Sequence, residues 1–408
     1  MTSAACRFCG TPLARTFCDL GMSPLSNAFI KPADAQRMEP FYPLHAYVCT
    51  DCFLVQLEQF ETPANLFSDY VYFSSYSDTW LAHAREFAAY AVREFGLTAQ
   101  SLVIEAASND GYLLQYFKQA GIPVLGIEPA QNVAAAALAK GISTVNEFLG
   151  AASAQKLAAA DKRADLLIGN NVFAHVPNLN DFAAGLHTLL KPAGVLSLEF
   201  PHLLQLMQNN QFDTIYHEHF SYFSFATALR VLAKHGLTVF DVEELPTHGG
   251  SLRVYASRDA ARQPTPRVQQ LLDDERAAGL GHAATYAAFA EQVKATKRAL
   301  LRFLLEAKDQ GKSVVGYGAP AKANTLLNYC GIRTDFIEFT VDRNPHKQGL
   351  LLPGTRIPVM PPDKIFERKP DYVLILPWNL KDEIIEQMAG IRGWGGKFVV
   401  PMPRPTVC

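Results

Sequence analysis

A chain of 408 residues, 49% of them hydrophobic, is too long for one ordinary core and predicts two or three domains. Its 37 basic and 39 acidic residues leave a formal net charge of −2, so no field recruits nucleic acid or an anionic membrane. No apolar run approaches the roughly 20 residues of a bilayer span, and MTSAACRFCG lacks the regions of a signal peptide, so a soluble, cytoplasmic protein is the expectation.

In chain order, the first pattern is a pair of C-x2-C knuckles, Cys6/Cys9 and Cys49/Cys52, separated by 39 residues. Four thiolates at that spacing predict one tetrahedral zinc, against the alternatives of unrelated buried thiols or a redox pair. With all four positions cysteine, the ion has no open site and is structural; it substitutes for a core this segment cannot build. Cys18, Cys330 and Cys408 have no such partners. An aromatic and hydroxyl-rich stretch, LFSDYVYFSSYSDTW, follows, and Asp78 can cap the helix that ends at Gly96.

The chain then alternates as a doubly wound α/β domain does. SLVIEAA (101–107), VLGIEP (124–129) and ADLLIGNN (164–171) read as buried strands, KPAGVLSLEFP (191–201) as a turn and a strand, with helices over 110–121 and 131–140. From 264 to 310 the pattern is helical and charged; strand, glycine turn and helix then restart at KSVVGYGAPAKANTLL, with further strands in FIEFTVDRN (336–344) and DYVLILPW (371–378). The expected architecture is an N-terminal zinc-binding module (1–78), a central doubly wound α/β domain (79–262), and a helical linker with a Rossmann-like α/β domain (263–408).

Two turns carry the ligand chemistry. In IEAASNDGYL a strand ends at Glu105, and Asn109, Asp110 and Gly111 tolerate the backbone angles of a close ligand approach. Glu128, 23 residues after Glu105, stands where an acid accepts ribose hydroxyls. No G-x-G-x-x-G is present, so a nucleoside without phosphate, S-adenosylmethionine, fits better than a dinucleotide, against a bland α/β turn. In GYGAPAKAN, Lys322 at a helix start suits a phosphate or diphosphate; NAD and a solvated surface lysine are the alternatives.

The segment DTIYHEHFSYFS gathers Tyr216, His217, Glu218, His219 and Tyr222. It admits a metal site, a general base, or an aromatic core strand with satisfied polar groups. Histidines two apart do not form the metalloprotease helix pattern.

The paired knuckles, YVYFSSYS, the acid–SNDG turn, NNVFAHVPN, EFPHL, YHEHFSYFS, HGGSLRVY and GYGAPAKANTLLN occur in the order of a known family. Over nearly its whole length the chain resembles the nucleotide-sugar C-methyltransferases. It departs at Ala107, where the family's loop usually carries glycine. The resemblance implies a methionine-side loop of Glu105, Ser108, Asn109 and Gly111, with Glu128 at the ribose and Asn146 and Phe148 along the adenine. Asn170, Asn171 and His175 follow a strand at the ligand-binding carboxyl edge. Lys322 would contact the nucleotide diphosphate, expected as dTDP, with the sugar in the cleft between domains.

Methylating carbon needs a carbanion equivalent, which a neighbouring ketone allows by enolisation. That requires a base at the C–H and donors at the oxyanion. His219 is the expected base, supported by Glu218, with Tyr216 and Tyr222 on the substrate and Tyr70 and His175 as further candidates; His217 reads as structural. The rivals are an NAD-dependent sugar oxidoreductase or epimerase, an O-methyltransferase, and a nucleotide-binding module without catalysis. A three-module chain of this kind is compatible with a monomer.

Overall fold

In a computed structural model, residues 4–67, 74–76 and 78–408 are described. The backbone forms two compact units, each assembled from three stretches of chain.

The first unit comprises Met1–Leu13, Cys49–Leu203 and Phe220–Gly281. Its centre is a seven-stranded sheet in the order Thr238–Leu245, Ser251–Ser257, Leu190–Pro201, Ala164–Asn170, Val103–Ala106, Val124–Ile127, Thr144–Val145. The five strands from Leu190–Pro201 to Thr144–Val145 run parallel, and Ser251–Ser257 and Thr238–Leu245 are added antiparallel. Parallel strands are covered on both faces, which is why VIEA is buried at every position and reads as an unbroken apolar run. Strand order reverses at Val103–Ala106, which lies between Val124–Ile127 and Ala164–Asn170. Doubly wound sheets bind ligands at the carboxyl edge of such a reversal.

One local expectation changes. Residues 191–201 are not a turn and then a strand: Leu190–Pro201 is one strand of 12 residues, in which Leu190 pairs with Ala164 ahead of a register irregularity and Val195–Pro201 pairs antiparallel with Ser251–Ser257. The helical stretch 264–310 is two helices, Pro266–Ala277 and Ala283–Asp309, interrupted where Gly279 adopts φ 84°.

The second unit comprises Ala14–Val48, Leu204–His219 and His282–Cys408. Strands Arg15–Ser23 and Tyr42–Val48 pair antiparallel, and Phe17 stacks on Phe289 of the long helix with ring centroids 4.6 Å apart. A six-stranded sheet runs Val359–Met360, Thr340–Val341, Val314–Tyr317, Tyr372–Ile375, Lys397–Val400, Thr406–Val407, parallel except for the last pair. FIEFTVDRN yields only Thr340–Val341 as strand. Order reverses between Val314–Tyr317 and Tyr372–Ile375, and the GYGAPAK turn leaves the carboxyl end of the former.

Candidate functional site

In the first unit, the SNDG turn closes over the reversal point. Glu105 is 1% exposed near the end of its strand, and neither carboxylate oxygen has a hydrogen bond of good geometry among the described residues. Burial drives its pKa well above the usual carboxylate range, opposed by the Tyr112 hydroxyl. Ser108 Oγ, Asp110 Oδ1, Asn170 Oδ1 and Asn171 Oδ1 are likewise buried without a described partner. Buried polar atoms are nearly always satisfied, so an acid-rich group of orphans at one sheet edge fits a cationic, hydrogen-bonding ligand. A sulfonium nucleoside with an ammonium group is such a ligand.

Asn109 and Gly111 take φ of 50° and 78°, in the left-handed region that a tight turn uses. A Cβ on Gly111 would stand 2.8 Å from Ile142, so the position is closed to larger residues. Glu128 accepts the Asn109 amide at 2.9 Å and the Ala130 amide at 2.8 Å, locking the turn to the next strand. Asn146 donates to the carbonyls of Glu128 (2.8 Å) and Pro129 (2.9 Å), and Phe148, 45% exposed, leaves an aromatic face at the surface.

Asn171 and His175 lie on the loop after Ala164–Asn170, with Asn171 at φ 52° and its amide 2.7 Å from the Glu199 carbonyl. Sequence reasoning missed the cluster below them. Glu199, fully buried, accepts Arg253 Nη2 at 2.6 Å, His83 Nε2 at 2.9 Å and Thr247 Oγ1 at 3.1 Å. Burial alone would raise its pKa, but His83 and Arg253 bring it down to about 2. Arg253 therefore anchors one strand to the next, and Trp80 stacks on His83 at 5.0 Å. Tyr222 is 6% exposed in a two-residue strand paired with Val55 and Gln56.

YHEH belongs to the second unit and is neither strand nor helix. His217 and Glu218 form a turn in which the His219 amide donates to the Tyr216 carbonyl at 2.9 Å. His219 Nδ1 lies 2.9 Å from the Thr214 carbonyl, and the Tyr216 ring covers the imidazole with centroids 4.0 Å apart. A carbonyl only accepts, so Nδ1 carries the proton and Nε2 holds the basic lone pair. The orienting group of His219 is thus Thr214. Glu218 instead accepts Asn27 Nδ2 at 2.7 Å, from 191 residues away. Burial raises the Glu218 pKa to about 7 against that bond and the charge of Lys347. His217 bonds the Pro43 carbonyl at 3.2 Å and packs edge-on against Tyr42, a packing role.

The glycine turn of the second unit meets this segment. Gly318 adopts φ 91°, and a Cβ there would stand 2.4 Å from Pro377. Lys347 Nζ donates to the Ala319 carbonyl at 2.9 Å, and burial lowers its pKa against Asp342 and Glu218. Lys322 lies 4.3 Å over the Trp378 ring with Nζ 2.5 Å from Asn379 Oδ1, and Trp378 Nε1 donates to Asp213 Oδ2 at 2.7 Å. Burial lowers Lys322 to about 8 and raises Asp213 to about 6, each charge opposing the shift of the other. Asn27, Asp213, Lys347 and Trp378 carry no local sequence signal; distant chain paths bring them here. Tyr70 lies outside the described residues.

Cys6, Cys9, Cys49 and Cys52 converge in the first unit, with all four Sγ atoms within 4.8 Å of one another. Neighbouring sulfurs stand 3.5 Å (Cys6–Cys52 and Cys9–Cys49) and 3.7 Å (Cys9–Cys52) apart. Ligands about 2.3 Å from a tetrahedral centre would be about 3.8 Å apart, so the set fits zinc. Among the described residues no other group of histidine, cysteine or acidic side chains has metal-site geometry.

The strand order, the buried polar atoms at its reversal point and the cysteine cluster, with the family models that match them, define a class I methyltransferase with an N-terminal zinc-binding domain, using S-adenosylmethionine. Three family models match the chain in order: "Putative zinc binding domain" over 6–67, "Methyltransferase domain" over 80–242 and "C-methyltransferase C-terminal domain" over 246–403. C-methyltransferase NovU of Streptomyces niveus is 38% identical over 406 residues, 98% of this chain and 96% of that protein. The chain belongs to this C-methyltransferase family.

Among solved structures, magnesium protoporphyrin IX methyltransferase of Synechocystis PCC 6803 with bound SAM is 18% identical, covering 44% of this chain and 79% of its own at a TM-score of 0.34. The 1,6-didemethyltoxoflavin-N1-methyltransferase of Burkholderia thailandensis is 18% identical, covering 53% and 98% at a TM-score of 0.37.

Proposed function

We propose that the protein methylates a ring carbon beside the ketone of a nucleotide-linked keto-deoxysugar, with dTDP as the nucleotide, through base-catalysed enolisation. The observation that carries this reading is the fixed tautomer of His219: Nδ1 is held on the Thr214 carbonyl, which makes Nε2 the basic nitrogen. A base with an oriented lone pair is what removal of a C–H proton requires, and O-methylation makes no demand for an enolate.

His219 Nε2 takes the proton from the carbon next to the ketone, and the C–H electron pair moves into the enolate. Tyr216, packed on the imidazole, donates to the developing oxyanion. Glu218, buried and held by Asn27, orients the sugar, with Tyr70, His175, Asn171 and Tyr222 completing the substrate contacts. Lys322 grips the diphosphate as a cation at the start of the helix Ala321–Cys330. Glu105, Ser108, Asn109, Gly111, Glu128, Asn146, Phe148 and Asn170 hold the cofactor. S-adenosylmethionine supplies a methyl group on a sulfonium, an electrophile for the enolate carbon, and leaves as the thioether. The four cysteines hold zinc as a structural ion with no open coordination position.

The test is solvent-deuterium exchange into dTDP- and GDP-linked keto-deoxysugars, followed by mass spectrometry with and without S-adenosylmethionine. Wild type incorporates deuterium and, with cofactor, adds one methyl; His219→Asn loses about 10²–10⁴ in rate. Wild-type methyl transfer with no exchange at carbon, or an undiminished His219→Asn enzyme, overturns enolisation by His219.

A further inference from the structure

The CRFC knuckle carries a cation, Arg7, between its two cysteines. Arg7 is half-buried, with its Nε out of solvent and without a described partner. No carboxylate lies within ion-pair distance of it among the described residues. An unpaired, half-buried guanidinium is a poor stabilising device. Its hydrogen bonds show where it acts: Nη1 donates to the Pro177 carbonyl at 2.7 Å, and Nη2 to the Leu57 carbonyl. Pro177 closes the loop that carries Asn171 and His175.

Further contacts hold the same arginine and the chain around it. The Arg7 amide donates to Gln56 Oε1 at 2.9 Å, while Gln56 Nε2 lies 3.2 Å from Cys6 Sγ, which couples the arginine to a metal ligand. Asn180, on the helix that follows the loop, donates to the Arg7 and Phe8 carbonyls at 3.1 and 2.9 Å. The guanidinium lies 5.4 Å from the Phe220 centroid, and the Phe220 amide donates to the Ala174 carbonyl at 2.8 Å.

We propose that Arg7 is a positioning residue: through its guanidinium the four-cysteine knuckle fixes the loop 171–177 at the carboxyl edge of the methyltransferase sheet. The knuckle is therefore part of the apparatus that places Asn171 and His175. A planar fork spans two carbonyls at set angles, which the single ammonium of lysine does not. Only the kinetic arm of the test below rests on the proposed sugar chemistry.

The experiment compares full-length, zinc-loaded wild type, Arg7→Lys and Arg7→Met. Metal analysis, calorimetric S-adenosylmethionine affinity, hydrogen exchange by mass spectrometry and steady-state kinetics are read on each. Zinc content and cofactor affinity stay at wild-type levels, while amides of 172–177 in Arg7→Met exchange about tenfold faster than in wild type and those of 103–106 do not. With the keto-sugar substrate, kcat falls about tenfold to a hundredfold with little change in KM, and Arg7→Lys recovers part of both losses. Unchanged exchange over 172–177 overturns the proposal, and so does loss of zinc, which would make Arg7 part of the metal site. If wild type turns over no keto sugar, the exchange data still decide the role of Arg7 while the sugar reading fails on its own.

Discussion

Ala107 adopts φ 54°, in the left-handed region where a Cβ crowds the following carbonyl. The resemblance singles out this position as one where glycine is usual, and the backbone supplies the reason. Ala107→Gly relieves the crowding at some cost in unfolded-chain entropy, for a net gain of about 0.5–1 kcal/mol. Urea unfolding checks this, and a destabilised variant would mean that the alanine methyl packs usefully. Glu218 makes a pH prediction at the same scale. Its pKa is raised by burial from 4.5 to about 7, so the native state holds a proton that the unfolded chain releases. The stability from this group is complete below about pH 4.5 and is lost as pH rises through about 7. Glu218→Gln removes the titration, so the wild type loses on the order of 3 kcal/mol relative to the variant between those limits. Parallel denaturation at pH 4.5 and pH 8 reads the difference, and equal slopes for the two proteins would contradict it.

Among elements, the helix Phe225–Lys234 shows how a distant side chain completes a local structure. Ser224 caps it by accepting the Thr227 amide at 3.1 Å. Glu275, on the helix Pro266–Ala277, accepts the Phe225 amide at 2.6 Å and the Ala226 amide at 2.9 Å, and pairs with His202 at 2.7 Å. All three partners are buried or nearly so, so removing the carboxylate strands two amides and an imidazole. Glu275→Ala should cost about 3–5 kcal/mol, measured by urea unfolding, whereas a cost under 1 kcal/mol would mean that water replaces the carboxylate. The YHEH segment makes the complementary point. Its aromatic composition suggests a strand, but the turn at His217–Glu218 aims successive side chains at separate partners, Pro43, Asn27 and Thr214.

At the scale of the molecule, each unit draws on three stretches of chain, so a segment matched by a family model does not coincide with a compact unit. Residues 282–408 lack Phe17, which stacks on Phe289. They also lack Ser26 and Ile215, whose carbonyls accept Asn324 at 2.5 Å and Thr325 at 2.9 Å. The isolated fragment 282–408 should lose several kcal/mol, since one missing buried phenylalanine costs about 3–5. It should bind a hydrophobic dye and melt without a sharp transition, while the full chain does neither. A cooperative transition near that of the full chain would show that the fragment's own core suffices.

The sequence by itself determined the cysteine quartet, the two α/β patterns, the SNDG and GYGAPAK turns and the family, because spacing, periodicity and turn chemistry are local properties of a chain. Tertiary structure alone decided that Thr214 rather than Glu218 orients His219, that Asn27 and Lys347 surround Glu218, and that Glu199 gathers Arg253, His83 and Thr247. It also decided that a knuckle arginine reaches the loop of His175. Asn27 and Glu218 stand 191 residues apart, and Arg7 and Pro177 stand 170 apart. No periodicity spans such distances: those pairings exist only because sheet order and the return of the chain between units place the residues together.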